Sequence, residues 1–287
     1  NLAVVMELPM IIINVQRGGP STGLPTKTEQ SDLLQVLFGR NGESPIPVIA
    51  PATPAECFKW TIEAARIAIR HMTPVFLLSD GYIANSSEPW LIPSSGEISD
   101  FKINRVEDPK DFKPYMRDKS TLSRPWALPG TVGFEHRVGG LGKQDVTGNV
   151  SYDPDDHEEI VKLRASKVNK ISEFISEMEV DDPNNADLLV LGWGGTYGSI
   201  REAVRQCRES GYNVAQAHLR MIKPFPNNLG EVLAKFERIL VPELNMGQLL
   251  LLLKSEFDAS FEGLNKVQGR PFKITEIFEK IVSVLKQ

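Results

Sequence analysis

Short strand-like runs at residues 10–13, 47–50, 74–78, 188–191, 213–219 and 239–241 alternate with stretches of helical periodicity at 54–72, 160–178, 199–210 and 274–285. The run Met10-Ile11-Ile12-Ile13 shows no polar alternation, so it reads as a buried strand of a parallel sheet. Parallel neighbours need a crossover, and a right-handed helical crossover supplies it. This order predicts an α/β fold of two doubly wound parallel-sheet units.

The first strand runs into Asn14-Val15-Gln16-Arg17-Gly18-Gly19-Pro20-Ser21-Thr22-Gly23-Leu24-Pro25-Thr26. This places the loop at a strand's carboxyl end, where open α/β sheets bind ligands. Its glycines permit close backbone approach, its prolines stiffen it, and Arg17 stands among the hydroxyls of Ser21, Thr22, Thr26 and Thr28. A guanidinium fork beside hydroxyls and free amides suits a carboxylate or phosphate. A plain Gly/Pro surface turn is the alternative.

The stretch from Gln16 to Thr26, followed by Glu29-Gln30-Ser31-Asp32-Leu33, resembles the signature of 2-oxoacid:ferredoxin oxidoreductase alpha subunits, most closely the 2-oxoglutarate type. Three later segments agree: residues 74–80, Gly192-Trp193-Gly194-Gly195-Thr196-Tyr197-Gly198, and residues 241–249. The resemblance implies a truncated thiamine-diphosphate pyrimidine-binding-like domain over 1–152, a linking helix over 153–182 and a transketolase C-terminal-like domain over 183–287.

It further implies oxidative decarboxylation of a 2-oxo acid, 2-oxoglutarate first, to its acyl-coenzyme A with ferredoxin as electron acceptor. Pyruvate or a branched-chain 2-oxo acid is the alternative substrate, and a catalytically silent assembly module the alternative role. Arg17, Thr22 and Thr26 match the motif's substrate-binding positions, with Arg17 on a carboxylate and the threonines on the oxo acid. Thiamine diphosphate is shared with a beta subunit, which is expected to hold Mg²⁺ and an iron–sulfur cluster. The opening Asn1-Leu2-Ala3-Val4-Val5-Met6-Glu7 has no initiator Met and no signal-peptide pattern, so a fragment cut from a longer chain is expected, with the family's pyrimidine-activating Glu upstream.

Bulk properties narrow the remaining classes. A net charge of −5 without a Lys/Arg stripe gives no reason to expect nucleic acid. Two cysteines, Cys57 and Cys207, make no disulfide framework, suit a reducing cytoplasm and argue against an iron–sulfur cluster held by this chain alone. The longest aliphatic run, 249–253, is far short of a membrane span.

Local signals complete the expectations. Thr53-Pro54-Ala55-Glu56 is a helix start with a capping box, and Ala55, Phe58, Ile62, Ala65 and Ile69 form its expected inward face. Residues 81–152 are dense in Pro and Gly, and read as a packed excursion that either contacts another subunit or covers the site. The acidic run 153–159 reads as a helix N-terminus rather than a metal site. The Gly192–Gly198 turn departs from the dinucleotide fingerprint and reads as a close helix–strand turn. His71 is expected to meet a helix dipole, His136 with Arg137 to face an anion, and Glu243-Leu244-Asn245 to cap the next helix or touch a partner.

Overall fold

In the computed structural model, which describes residues 1–98, 100–101 and 103–286, the expected strands pair into two sheets. The first part of the chain forms α1 (Leu2–Met6), β1 (Met10–Gln16), α2 (Leu33–Phe38), β2 (Val48–Ile49), α3 (Pro54–His71), β3 (Pro74–Asp80) and α4 (Gly81–Ala84). After the irregular excursion come α5 (Pro154–Asn169), β4 (Val180–Asp181), β5 (Leu188–Trp193), α6 (Tyr197–Glu209), β6 (Ala215–Leu219) and β7 (Met221–Lys223). The chain closes with α7 (Leu229–Leu233), β8 (Arg238–Glu243), α8 (Gln248–Glu256), β9 (Phe261–Asn265) and α9 (Ile274–Leu285).

The first sheet has the order β1-β3-β2-β7, with β1 and β2 parallel to β3 and β7 antiparallel to β2. The second has the order β4-β6-β5-β8-β9, parallel except for β4. On β5, Leu188 and Val190 pack against Ile200 and Val204 of α6 and Ile277 and Ile281 of α9. Its alternate residues Leu189, Leu191 and Trp193 pack the other way, with Leu229, Leu249 and Leu253. Both faces are dry, which is why the sequence shows no alternation there. The parallel-sheet α/β class is therefore as expected.

Several local expectations change. β1 is an edge strand flanked only by β3, so Met10, Ile13 and Val15 are exposed rather than buried. On α3, Thr53 Oγ1 accepts from Glu56 N (3.3 Å) as predicted, but Glu56 Oε2 accepts from Ala52 N (2.9 Å) instead of closing the box on Thr53. The most buried stripe of α3 is Ala64, Ile67, Ala68 and His71, not the predicted one. Small Ala64 and Ala68 let the helix lie close on Ile49 and Val75, while Phe58 turns out to meet Trp90 in a tilted ring contact at 5.0 Å.

The acidic run does start a helix: Asp153 caps α5 by accepting from Asp155 N (2.9 Å). β4, β7 and β9 have no counterpart in the sequence reading. β7 and the shared core of Leu33, Val48, Leu78, Leu191 and Leu229 cross the boundary expected between residues 182 and 183.

The excursion is anchored by a buried charge cluster. Glu7 meets Arg117 Nη2 at 2.8 Å and Lys167 Nζ at 2.5 Å, and Arg117 Nε reaches Asp145 at 2.7 Å. Burial acts to raise Glu7, but the charges of Lys167 and Arg117 override it and hold the carboxyl well below its usual range. Burial pulls Lys167 down despite Glu7. Among the described residues, no helix is long and apolar enough to cross a membrane.

Candidate active site at the carboxyl edge

The Gly/Pro loop is tied to the sheet at both ends by Gln16. Its Nε2 donates to Ser79 O on β3 (3.2 Å), and its Oε1 accepts from Asp32 N (3.1 Å). Gly18 N donates to Lys27 O (2.9 Å) and Leu24 N to Gly18 O (2.9 Å), closing a narrow neck. Gly23 sits at φ 45°, and a Cβ there would lie 2.2 Å from Gly18 O, so only glycine fits.

Arg17, Thr22 and Thr26 are all exposed on this one loop. The Arg17 guanidinium donates to the carbonyl oxygens of Thr22 and Ser21, the latter at 3.2 Å. No carboxylate pairs with it among the described residues, so the fork clamps its own loop while its charge stays uncompensated.

Beneath the loop, the two sheets are latched by buried polar groups. Asp80, at the end of β3, accepts through Oδ1 from Tyr82 N (2.8 Å), Ile83 N (3.1 Å) and Thr28 Oγ1 (3.1 Å). Its Oδ2 accepts from Gly195 N (2.8 Å). A Cβ on Gly195 would sit 2.4 Å from that oxygen, so this glycine turn is filled by Asp80 and is a close packing turn. Gln30 donates to Trp193 O (2.7 Å) and accepts from Leu244 N (2.9 Å). Glu243 accepts from Leu249 N (2.8 Å) and Leu250 N (3.0 Å), which caps α8. Burial raises its pKa against those bonds.

Sequence reasoning missed Asp80 and Gln30 as organisers. Asp80 followed by Gly81 at a strand end carried a readable capping signal; the partners of Gln30 lie far along the chain and left none. His71 departs from expectation. Burial pushes His71 down to about 4, so it carries no charge for a helix dipole, and its ring meets Phe174 at 5.4 Å. His136 Nδ1 lies 2.9 Å from Phe134 O and its ring stands edge-on to Phe112, while its Nε2 is buried with no hydrogen-bond partner among the described residues. Burial and then the Arg220 charge push His218 down to about 3, leaving it neutral beside Gly194 O at 3.0 Å.

One acid stands apart. Glu29 is 7% exposed and its carboxylate lies against Gly18, 3.4 Å from where a Cβ would be. The other buried acids, Glu7, Asp80 and Glu243, each have several partners, whereas Glu29 has no hydrogen bond or ion pair among the described residues. Among those residues, no group of three His, Cys, Asp or Glu is placed to hold a metal ion.

Comparison with known proteins identifies the family. Residues 1–151 match the family model described as pyruvate flavodoxin/ferredoxin oxidoreductase, thiamine diphosphate-binding. Residues 186–277 match pyruvate:ferredoxin oxidoreductase core domain II. The 2-oxoglutarate oxidoreductase subunit KorA of Mycobacterium tuberculosis is 51% identical over 277 residues, covering 96% of this chain and 42% of that protein. The 2-oxoglutarate synthase subunit KorA of Methanothermobacter marburgensis is 29% identical, over 98% of this chain and 75% of that one. Among solved structures, the 2-oxoglutarate:ferredoxin oxidoreductase from Magnetococcus marinus, with 2-oxoglutarate, coenzyme A and succinyl-coenzyme A bound, superposes with a TM-score of 0.93 at 31% identity. That match covers 98% of this chain and 50% of the other, so the chain spans half or less of two of these relatives.

Proposed function

From the premise that this chain belongs to the pyruvate flavodoxin/ferredoxin oxidoreductase family, through its thiamine diphosphate-binding domain, we propose that it is part of a 2-oxoglutarate:ferredoxin oxidoreductase alpha subunit. The enzyme would convert 2-oxoglutarate and coenzyme A to succinyl-coenzyme A and carbon dioxide, passing two electrons to ferredoxin. The observation that carries this reading is the near-complete superposition on the Magnetococcus marinus enzyme, a protein with that substrate and product bound.

Thiamine diphosphate, when bound, stabilises the carbanion left by loss of carbon dioxide. The residues present suit it in one respect: the unpartnered Glu29 carboxylate is an acceptor, and the cofactor carries an amino-group donor. Arg17 supplies the uncompensated cation for a substrate carboxylate, exchanging backbone carbonyls for a stronger charged acceptor. Thr22 and Thr26 present hydroxyls to the oxo acid from a loop whose shape Gly23 and the Gly18 neck fix. The substrate would be held by this loop while a partner beta subunit contributes Mg²⁺, an iron–sulfur cluster and the path to ferredoxin, in the cytoplasm. The division of the chain at residues 152 and 182 belongs to the same proposal.

A second reading, with pyruvate as substrate, is favoured by the descriptions of both matching family models. A panel of 2-oxoglutarate, pyruvate and branched-chain 2-oxo acids, assayed on the complete alpha–beta enzyme, separates them. Preference for 2-oxoglutarate supports the proposal, and preference for pyruvate replaces it.

A further inference from the structure

Glu29 is the buried acid whose presence the fold leaves unexplained. A carboxylate almost closed off by protein that offers it no donor can be satisfied only through the opening it keeps. Here the surroundings are otherwise saturated. Thr28, one residue before, donates to Asp80, and Gln30, one residue after, is bonded on both its amide atoms. Glu29 lies between these two latches and under the neck of the loop, with Gly18 leaving the room that a side chain would fill. It is absent from the fully enclosed polar atoms that lack a partner, so its carboxylate keeps an opening to the outside.

We propose that Glu29 is a ligand-binding residue of this site, accepting a hydrogen bond from a donor-bearing ligand other than the oxo acid. A 2-oxo dicarboxylate offers only acceptors and negative charge, which a buried carboxylate repels. Two ligands of the proposed reaction carry the complementary chemistry. Thiamine diphosphate has an exocyclic amine and a cationic ring, and coenzyme A has amide N–H groups and a thiol. The loop would thus be two-sided, with Arg17, Thr22 and Thr26 toward the anionic substrate and Glu29 toward the donor. The choice of candidate ligands rests on the proposed function; the unpaired acceptor does not.

The test uses the complete enzyme with its partner subunit, carrying Glu29→Gln or Glu29→Leu. Titration calorimetry is run separately with thiamine diphosphate plus Mg²⁺, with coenzyme A and with 2-oxoglutarate. The expected result is a loss of about tenfold or more in affinity for one of the first two ligands in Glu29→Gln. The loss should be larger in Glu29→Leu, with 2-oxoglutarate affinity within about twofold of wild type or tighter. The ligand that weakens identifies the source of the donor. Unchanged affinity for both donor-bearing ligands, or a loss confined to 2-oxoglutarate, overturns the proposal. If Glu29→Leu fails to assemble, Glu29→Gln decides alone, because it keeps the shape and removes the charge. A wild-type complex that binds both cofactors yet turns over another oxo acid overturns the proposed substrate and leaves the Glu29 result readable.

Discussion

An arginine whose fork already grips two backbone carbonyls is held in place before any substrate arrives. Arg17 is pre-positioned in this way, with Thr22 O and Ser21 O as its partners. On the role proposed for it, Arg17→Lys should damage both loop shape and substrate grip, since an ammonium on a flexible stem replaces a planar fork. Losing a charge-assisted bidentate contact costs about 1.5–3 kcal/mol, or roughly one to two orders of magnitude in kcat/KM. Steady-state kinetics of the full enzyme should show that loss while gel filtration shows intact assembly. Asp80 tests the latch. In Asp80→Asn one carboxylate oxygen becomes an amide, and whichever way it turns, a donor faces the N–H of Gly195 or those of Tyr82 and Ile83. An unsatisfied buried donor costs about 1–3 kcal/mol, so the melting temperature should fall by roughly 2–12 °C. A thermal melt that matches wild type would remove Asp80 from the latch.

At the scale of elements, α3 shows what sequence does and does not disclose. Its start was legible because Thr53, Pro54 and Glu56 act within one turn. Its buried face was not, because Phe58 and Ile62 have apolar side chains that count as inward in any periodicity, while the sheet admits the small Ala64 and Ala68. α9 was legible to both ends, since its apolar spacing is undisturbed. β7, three residues long, and β9, reading Phe-Glu-Gly-Leu-Asn, carry no alternation, so their pairing comes from tertiary context alone. The loop was legible as a candidate site from its composition and the family resemblance, whereas the unpaired Glu29 was not, because an unpaired buried acid is visible only in three dimensions. His71, at the end of α3, makes a pH prediction. Its folded pKa of about 4 lies below the ordinary 6.5, so the unfolded chain binds more protons between those values. Stability contributed by neutral His71 is full above about pH 6.5 and is lost as pH falls toward 4, up to about 3 kcal/mol. His71→Gln should flatten the dependence of melting temperature on pH in that window. An unchanged slope would mean that His71 titrates normally.

For the whole molecule, the shared core decides cooperativity. Leu33, Val48 and Leu78 pack into the same cluster as Leu191, Leu229 and Leu249, and β7 hydrogen-bonds to β2 across the expected boundary. Neither sheet can lose its packing without exposing apolar surface of the other. Calorimetry of this chain should therefore show one unfolding transition, and two resolved transitions would mean that the sheets melt independently. The Glu7–Arg117–Lys167 cluster ties residues 160 positions apart into the same unit, a relation that no local pattern in the sequence encodes.

The two cysteines sit at different depths in that unit. Cys57, on α3, is half-buried, while Cys207, on α6, is fully enclosed and its thiol is pushed up to about 11 by burial. Alkylating reagents attack the thiolate and need access to it. The pair is consequently a two-handed clock written into the chain. An alkylating reagent should reach Cys57 first, and Cys207 only once the core under α6 opens.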